Sequence, residues 1–285
     1  MKAEMGYCTT SFGHIHYRML GEGEPLLLLH RSPRSSRDWF RLMPILAERY
    51  QVIAMDTLGF GQSDPLPQGV TMEALAESVD SFLTSLGIQR ANVFGIHTGN
   101  KIAAALARQF PDRVDRLILC GMIHSIIDDR SQRNAAIKDI VDLYFMPDQV
   151  ADDGSHLLRR WAVAFSELSR SWWNTPTLLK GKITENDLDH FRLEALDSLQ
   201  AYPSKRAIYQ ANFDYDFGAA LRGIVAPTLI MELCVPEEEH LGRNGQHLLE
   251  IMQNAQLSVM ENADGNVVIF RAEEVAGLIN AFLEG

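Results

Sequence analysis

Cysteine is scarce in this chain of 285 residues. The three cysteines, Cys8, Cys120 and Cys234, are odd in number and far apart in the sequence. This usage argues against a disulfide framework and fits buried free thiols in a reducing compartment. We therefore expect a cytoplasmic protein whose core provides its stability without covalent cross-links.

Long apolar runs and an excess of positive charge are also lacking. The longest apolar run near the N-terminus, residues 25–29, is far too short to cross a bilayer. Residues 1–8 contain no apolar h-region, so we expect no targeting signal. The chain has 26 Lys and Arg against 37 Asp and Glu, a net charge of −11 that repels phosphate backbones and anionic membranes. Neither nucleic acid nor a membrane is expected as a partner.

What the chain does have is enough apolar sequence for a well-buried core in one or two domains, with 46% hydrophobic and 22% charged residues. Strand-like and helix-like segments alternate in its first third, which is the pattern of a parallel sheet wrapped by helices. Residues 127–217 differ, with helical stretches, clustered aromatics and no convincing strand. The sequence predicts a core of residues 1–126 and 218–285 with residues 127–217 inserted as a helical cap.

The element boundaries follow from apolar periodicity and from glycine and proline positions. Residues 15–20 and 25–30 are expected to form a hairpin that turns at residues 21–23. Further strands are predicted at residues 51–55, 91–94, 114–122, 227–231 and 256–260. Helices are predicted at residues 71–86, 98–110, 247–252 and 273–282.

Four short segments of the core carry a recognisable pattern. His30 ends a predicted strand, and residues 56–64 form a glycine-rich loop of the type Asp-x-x-Gly-x-Gly-x-Ser. A Leu-Gly-Ile triplet at residues 86–88 precedes one strand, and Phe-Pro-Asp-Arg-Val at residues 110–114 begins another. With these marks, residues 21–122 and the C-terminal segment resemble the α/β-hydrolase superfamily.

The resemblance implies an α/β fold with a mostly parallel, doubly wound sheet and an inserted helical cap. The order of elements is also similar to the carbon–carbon bond hydrolases, epoxide hydrolases and dehalogenases of that superfamily. A fold alone does not define a reaction, because this scaffold supports many chemistries.

The turn that presents the nucleophile in this superfamily reads Gly95-Ile96-His97-Thr98-Gly99 here. Small residues on both sides allow a strand to enter a helix through a strained corner, which projects the central side chain into the pocket. That side chain is an imidazole instead of a serine, aspartate or cysteine. His97 can serve as a base, a nucleophile or a metal ligand, but it cannot form a stable acyl-ester. A degenerate corner in a binding protein is the alternative.

The other two triad positions are altered as well. The superfamily places its histidine after the last strand, where this chain reads Gly265-Asn266, and no histidine follows His247. The acid is expected near residues 232–236, with Val235 at the corresponding place. Glu232 or Glu237 could substitute, although the glutamate run at residues 237–239 is more typical of a solvated turn.

The resemblance also implies an oxyanion hole made of backbone NH groups, those of Thr98 and Arg31. Asn266 would add a hydrogen bond to a carbonyl or an oxyanion. The Arg31 side chain replaces the usual glycine. It could hold a carboxylate, or it could fold outward onto Asp38 as a surface pair.

Several other histidines require an interpretation. His124 follows a predicted strand and is expected at the same sheet edge as His97 and His30, so we count it among the candidate catalytic residues. With Glu232, these residues raise the alternative of a metal site, but no close-spaced ligand pair supports it, and we expect neither metal nor cofactor. Pairs His14/His16 and His240/His247 are expected on a surface strand and at a loop or helix end.

Two classes of function remain. The first is an enzyme that holds a small, partly apolar molecule under the aromatic cap, with Trp161, Trp172 and Trp173 as pocket candidates. It would use a histidine-assisted mechanism without an acyl-enzyme: water activation for hydrolysis, which we favour, or proton abstraction for a lyase or isomerase. The second class is a catalytically inactive ligand binder. The sequence also leaves a homodimer open.

Overall fold

An eight-stranded sheet forms the centre of the computed structural model, which describes residues 3–121, 151–155, 158, 185–234, 243–263 and 265–285. The strand order is β1-β2-β4-β3-β5-β6-β7-β8, and all neighbours from β4 onward pair in parallel, whereas β1/β2 and β2/β4 are antiparallel. The strands are β1 Glu4–Thr10, β2 Gly13–Leu20, β3 Glu24–Leu29, β4 Tyr50–Met55, β5 Ala91–Ile96, β6 Val114–Cys120, β7 Thr228–Cys234 and β8 Ala255–Glu261.

Helices cover both faces of this sheet, as a doubly wound fold requires. We number those in the described residues α1 Leu42–Leu46, α2 Met72–Ser85, α3 Thr98–Gln109, α4 Glu185–Gln200, α5 Tyr202–Asp214, α6 Phe217–Arg222, α7 Gly245–Ile251, α8 Val267–Phe270 and α9 Ala272–Glu284. Residues of α2, α3, α5, α6 and α7 share one buried core, and residues of α1, α8 and α9 share the other. The predicted α/β fold class is confirmed.

Strand β3 shows why helices must cover both faces of the sheet. Its four leucines, residues 26–29, have no exposed surface. Leu27 and Leu29 belong to one core, and Leu26 and Leu28 to the other. Successive strand residues face opposite sides, so a continuous run of leucines is stable only where helices cover both faces.

The predicted helix at residues 71–86 is confirmed as α2. Thr71 is its N-cap, and its side chain accepts a hydrogen bond from the Ala74 NH at 3.1 Å. The apolar side chains at positions 75, 79, 82 and 83 are buried on the sheet side. Local capping and helical periodicity together position this helix against α3.

The predicted hairpin of residues 15–20 and 25–30 is wrong. Strand β4 lies between β2 and β3, pairing antiparallel with β2 and parallel with β3. A hairpin partner would have occupied one of the two positions beside β3, yet the buried leucines of β3 lie between the parallel strands β4 and β5. The tertiary environment of β3 therefore overrides the local turn signal of residues 21–23.

The proposed cap is described only in part. Helices α4 and α5 lie within residues 127–217, and the rest of that predicted cap lies outside the described residues apart from 151–155 and 158. Cap boundaries therefore stay a prediction. In the part of the chain that the structure describes, we find no helix with the length and apolarity to cross a membrane.

A buried hydrogen bond between a histidine and a carboxylate joins β2 to the loop after β4. His16, which the sequence analysis placed on a surface strand, is 2% exposed, and its Nδ1 lies 2.8 Å from Asp56 Oδ2. The Asp56 carboxylate also accepts hydrogen bonds from the Ser36 and Gln62 NH groups at 2.5 and 2.9 Å. Burial favours the protonated acid, but these hydrogen bonds outweigh it and lower the pKa of Asp56 to about 2.

We predict that Asp56→Asn lowers the free energy of unfolding by about 3 kcal/mol at pH 7, because it leaves a buried histidine without its charged partner. Asp64→Asn is the matched control, since Asp64 forms the corresponding pair with His14 on the surface. Urea unfolding at pH 7 measures both.

The pH dependence has a definite sign. The pKa of Asp56 is lower in the folded protein than its ordinary value of 3.8, so its stabilisation is complete above about pH 4 and is lost as the pH falls through about 2. The difference between wild type and Asp56→Asn should shrink over that interval. Equal effects of the two substitutions at pH 7 would contradict the role of the buried pair.

Candidate active site

The corner between β5 and α3 has the geometry of a nucleophile elbow. His97 sits there with φ 50° and ψ −108°, in the left-handed region that non-glycine residues rarely adopt. A Cβ on Gly95 would overlap the backbone of Gly99, and a Cβ on Gly99 would overlap the carbonyl of Leu29. Only glycine fits at either position. Backbone strain of this kind clusters at functional sites, so the strained corner itself indicates a functional site.

Asn100 holds this corner against the end of β6. Its Nδ2 donates to the carbonyl oxygens of Cys120 and Gly121 at 2.9 and 2.5 Å, and its Oδ1 accepts from the Cys120 NH at 2.9 Å. The His97 NH also donates to the Cys120 carbonyl, at 3.0 Å. Asn100 was not among the predicted site residues, because the sequence shows it only as one of several polar side chains in the first turn of an alanine-rich helix.

The His97 ring lies between two glycine backbones. A Cβ on Gly121 would be 3.2 Å from its Cε1, and a Cβ on Gly265 would be 2.5 Å from its Nε2. That same Gly265 position lies 2.6 Å from Arg31 NH1. The imidazole and the guanidinium are therefore within about 5 Å of each other.

Arg31 does pair with Asp38, but the pair is not on the surface. Arg31 Nε and NH2 donate to the two Asp38 carboxylate oxygens at 2.9 and 3.2 Å. Asp38 is fully buried and the Arg31 side chain is 11% exposed. NH2 also donates to Asn266 Oδ1 at 2.8 Å. The outward-facing alternative is wrong, because the aspartate lies inside the protein and draws the guanidinium inward beside His97.

The two backbone NH groups expected to form an oxyanion hole lie on the elements that frame His97. Thr98 is the first residue of α3, and Arg31 follows β3. Within the described ranges, neither NH donates to a protein acceptor. Thr98 Oγ1 accepts from the Ser32 NH at 3.4 Å and from Asn212 Nδ2 at 3.3 Å, which ties both elements to α5.

A polar cluster attaches α4 to the loop after β3. Arg34 pairs with Glu194, and Asp197 accepts from Ser35 Oγ and Arg37 NH1, both at 2.7 Å. Burial raises the pKa of Asp197, while its hydrogen bond with Ser35 and the two arginines act in the opposite direction. Helix α4, which lies within the proposed cap, therefore contacts the same loop that carries Arg31.

Two of the predicted binding residues have structural roles instead. His30 is buried, its Nε2 accepts from the Thr57 NH at 3.1 Å, and its Nδ1 therefore carries the hydrogen that it donates to the Arg31 carbonyl at 2.9 Å. Both ring nitrogens are thus used within the protein. His30 therefore holds the loop after β3 in place and does not bind a ligand.

Glu232 lies within β7, which extends beyond the predicted end at residue 231. Its Oε1 accepts from the NH groups of Asn244 and Gly245 at 2.7 and 2.9 Å, where α7 begins. The next residue, Leu233, faces Gly121, so strand alternation turns Glu232 to the opposite side of the sheet. The substrate-binding prediction for Glu232 is wrong, because the carboxylate serves the helix N-terminus.

Other predicted site residues, His124, Trp161, Trp173, Val235 and Glu237, lie outside the described residues, as do Trp172 and His240. His247 is exposed on α7 beside Glu250. Searching the described part of the chain for three or more clustered His, Cys, Asp or Glu gives no candidate metal site.

Comparison with known proteins gives the family of this chain. A family model described as alpha/beta hydrolase fold matches residues 24–263, so the chain belongs to that family. A bromoperoxidase from Bacillus anthracis superposes with a TM-score of 0.78 at 18% identity, covering 99% of this chain and 100% of that one. This likeness concerns the fold alone.

Among relatives in sequence, the 2-hydroxy-6-oxononadienedioate/2-hydroxy-6-oxononatrienedioate hydrolase 2 of Pseudomonas putida is 29% identical over 282 residues, 95% of this chain and 91% of that one. The soluble epoxide hydrolase of Corynebacterium sp. (strain C12) is 35% identical over 113 residues, 40% of each chain. The matches at 35–37% identity thus span well under half the length of those relatives.

We predict that Gly265→Ala displaces the His97 ring while the fold survives, because the new methyl group meets only the ends of two side chains. The histidine ring resonances of ¹⁵N-labelled protein should shift, with a loss of about 1–2 kcal/mol in stability. Gly277→Ala is the control: its Cβ would meet nothing within 4 Å in α9, so it should stabilise slightly and leave the resonances unchanged. Unchanged His97 resonances in Gly265→Ala would contradict the described ring position.

Proposed function

We propose that this protein is a hydrolase for a small, partly apolar molecule, in which His97 acts as a general base on water and no acyl-enzyme forms. The observation that carries the proposal is the strained, left-handed backbone of His97 at a corner built by two glycines. Strain costs stability, about 1–3 kcal/mol, and persists where the surrounding structure fixes it for a purpose.

The proposed reaction uses groups on both sides of the corner. His97 Nε2 takes a proton from water while the water oxygen attacks the substrate carbonyl. The carbonyl oxygen becomes an oxyanion that accepts hydrogen bonds from the Thr98 and Arg31 NH groups. His97 then gives the proton to the leaving group as the tetrahedral intermediate collapses.

Asn266 is proposed to donate an additional hydrogen bond to the substrate. Arg31 NH2 donates to its Oδ1 at 2.8 Å, which places the amide beside the guanidinium. We assign the Asn266 amide a hydrogen bond to a carbonyl or an oxyanion of the substrate. We also propose that His124 takes part in catalysis and that Trp161 and Trp173 line the pocket.

The relatives support hydrolysis as the class of reaction. Both the Pseudomonas protein and the Corynebacterium protein carry the name hydrolase. A scaffold that retains the corner and the two backbone donors, while its side chains differ, is better explained by altered chemistry than by a binding role. We also propose a cytoplasmic location, because Cys8, Cys120 and Cys234 are free thiols.

We predict that His97→Gln reduces the hydrolysis of p-nitrophenyl acetate 10²–10⁴-fold, since the amide cannot accept a proton at neutral pH. His247→Gln, which changes an exposed histidine, should retain full activity. Release of p-nitrophenolate measures both rates. Near-full activity of His97→Gln, at unchanged thermal stability, would rule out the general-base role.

A fluorophosphonate probe, which reacts with activated serines, is expected to leave the native protein unlabelled. The elbow carries an imidazole, and phosphonylation of an unactivated hydroxyl is slow. Intact-protein mass spectrometry gives the labelled fraction. Stoichiometric labelling at one serine would show that a serine nucleophile operates elsewhere in the chain.

A further inference from the structure

The Arg31 guanidinium presents one nitrogen to the space beside His97. Of its five N–H donors, Nε and one on NH2 bind Asp38, and the other on NH2 binds Asn266. NH1 is the nitrogen that lies 2.6 Å from the position of a Cβ on Gly265, beside His97 Nε2. Among the described residues, neither hydrogen of NH1 meets an acceptor. Two charged donor hydrogens thus line the site.

None of the described groups beside NH1 carries a negative charge. Its described neighbours are the His97 imidazole, the Gly265 backbone and the Asn266 amide. Burial raises the pKa of the nearby Cys120 thiol to about 12, so this side chain also stays neutral. The negative charge of Asp38 contacts the guanidinium through Nε and NH2 and not through NH1. A ligand oxygen beside NH1 would accept a charge-assisted hydrogen bond from this guanidinium.

We propose that the site takes a small carboxylate and that Arg31 NH1 binds one of its oxygens. This inference rests on the proposed function for the location of the site, but not on the role of His97 as a base. NH1 is the only nitrogen of the Arg31 guanidinium that remains available. It therefore binds a single carboxylate oxygen, whereas arginine typically binds both oxygens of a carboxylate through two of its nitrogens. The substrate class is therefore a small organic acid.

The position of NH1 also restricts where the carboxylate stands in the substrate. The backbone donors of Thr98 and Arg31 are reserved for the reacting carbonyl, so the carboxylate is a second group of the same molecule. Since NH1 and Nε2 lie within about 5 Å, the anionic group and the attacked carbon are separated by only a few bonds.

The test compares carboxylates with neutral amides of the same shape. The probes are acetate, benzoate and phenylacetate against acetamide, benzamide and phenylacetamide, titrated at pH 7 with chemical-shift changes or calorimetry as the readout. We expect at least one carboxylate to bind tenfold or more tightly than its amide. If no carboxylate is preferred, the proposal is wrong.

Variants assign the preference to a residue. Arg31→Gln should abolish it, and the double variant Arg31→Gln/Asp38→Asn, which removes both charges of the buried pair, serves if the single variant does not fold. Arg90→Gln is the matched control, because it removes the same charge from an exposed pair with Asp115 and should retain the preference. A preference that survives in the folded double variant overturns the assignment to Arg31.

His97→Gln separates this inference from the proposed function. The variant should keep its preference for carboxylates even though it loses ester hydrolysis. If it keeps hydrolysis as well, the proposed mechanism fails and the anion site stands. If it loses the preference while Arg31 is intact, the anion is bound by a protonated imidazole and the inference fails.

Discussion

The close approach of the Gly99 backbone to the carbonyl of Leu29 is the constraint on which the site depends. It brings the first turn of α3 against the end of β3, with no space for a side chain at position 99. Gly95 lies against the Gly99 backbone of the same turn, so the chain reverses within very few residues. The result is that residue 97 projects from a strained corner whatever its identity. The backbone forms the corner, and the side chain at position 97 determines the chemistry that can occur there.

Buried charges then fix the loops around that corner. Asp56 binds His16 and the backbone of Ser36, and Asp38 binds Arg31 on the same segment of chain. Each of these carboxylates lies in the interior, where an unpaired charge would be expensive. The loop between β3 and α1 is therefore held from two sides. This rigidity allows a long side chain such as Arg31 to have a defined position beside His97.

Much of the fold could be read from local sequence, whereas the polar partners could not. The helix from Thr71 and the elbow follow from capping, periodicity and glycine spacing, all of which are properties of neighbouring residues. The burial of His16, the inward pair of Arg31 with Asp38 and the capping of α7 by Glu232 depend on residues distant in sequence. The supposed hairpin before β3 failed for a related reason, because strand partners are chosen by the burial of whole strands.

The central claim is that His97 moves a proton and carries no acyl group. Rapid-quench mass spectrometry of the intact protein during hydrolysis of p-nitrophenyl acetate tests it directly. The protein is expected to keep its unmodified mass from the first turnover onward, because water attacks the ester itself. An acetyl adduct on His97 or on any serine, formed at least as fast as turnover, would contradict it.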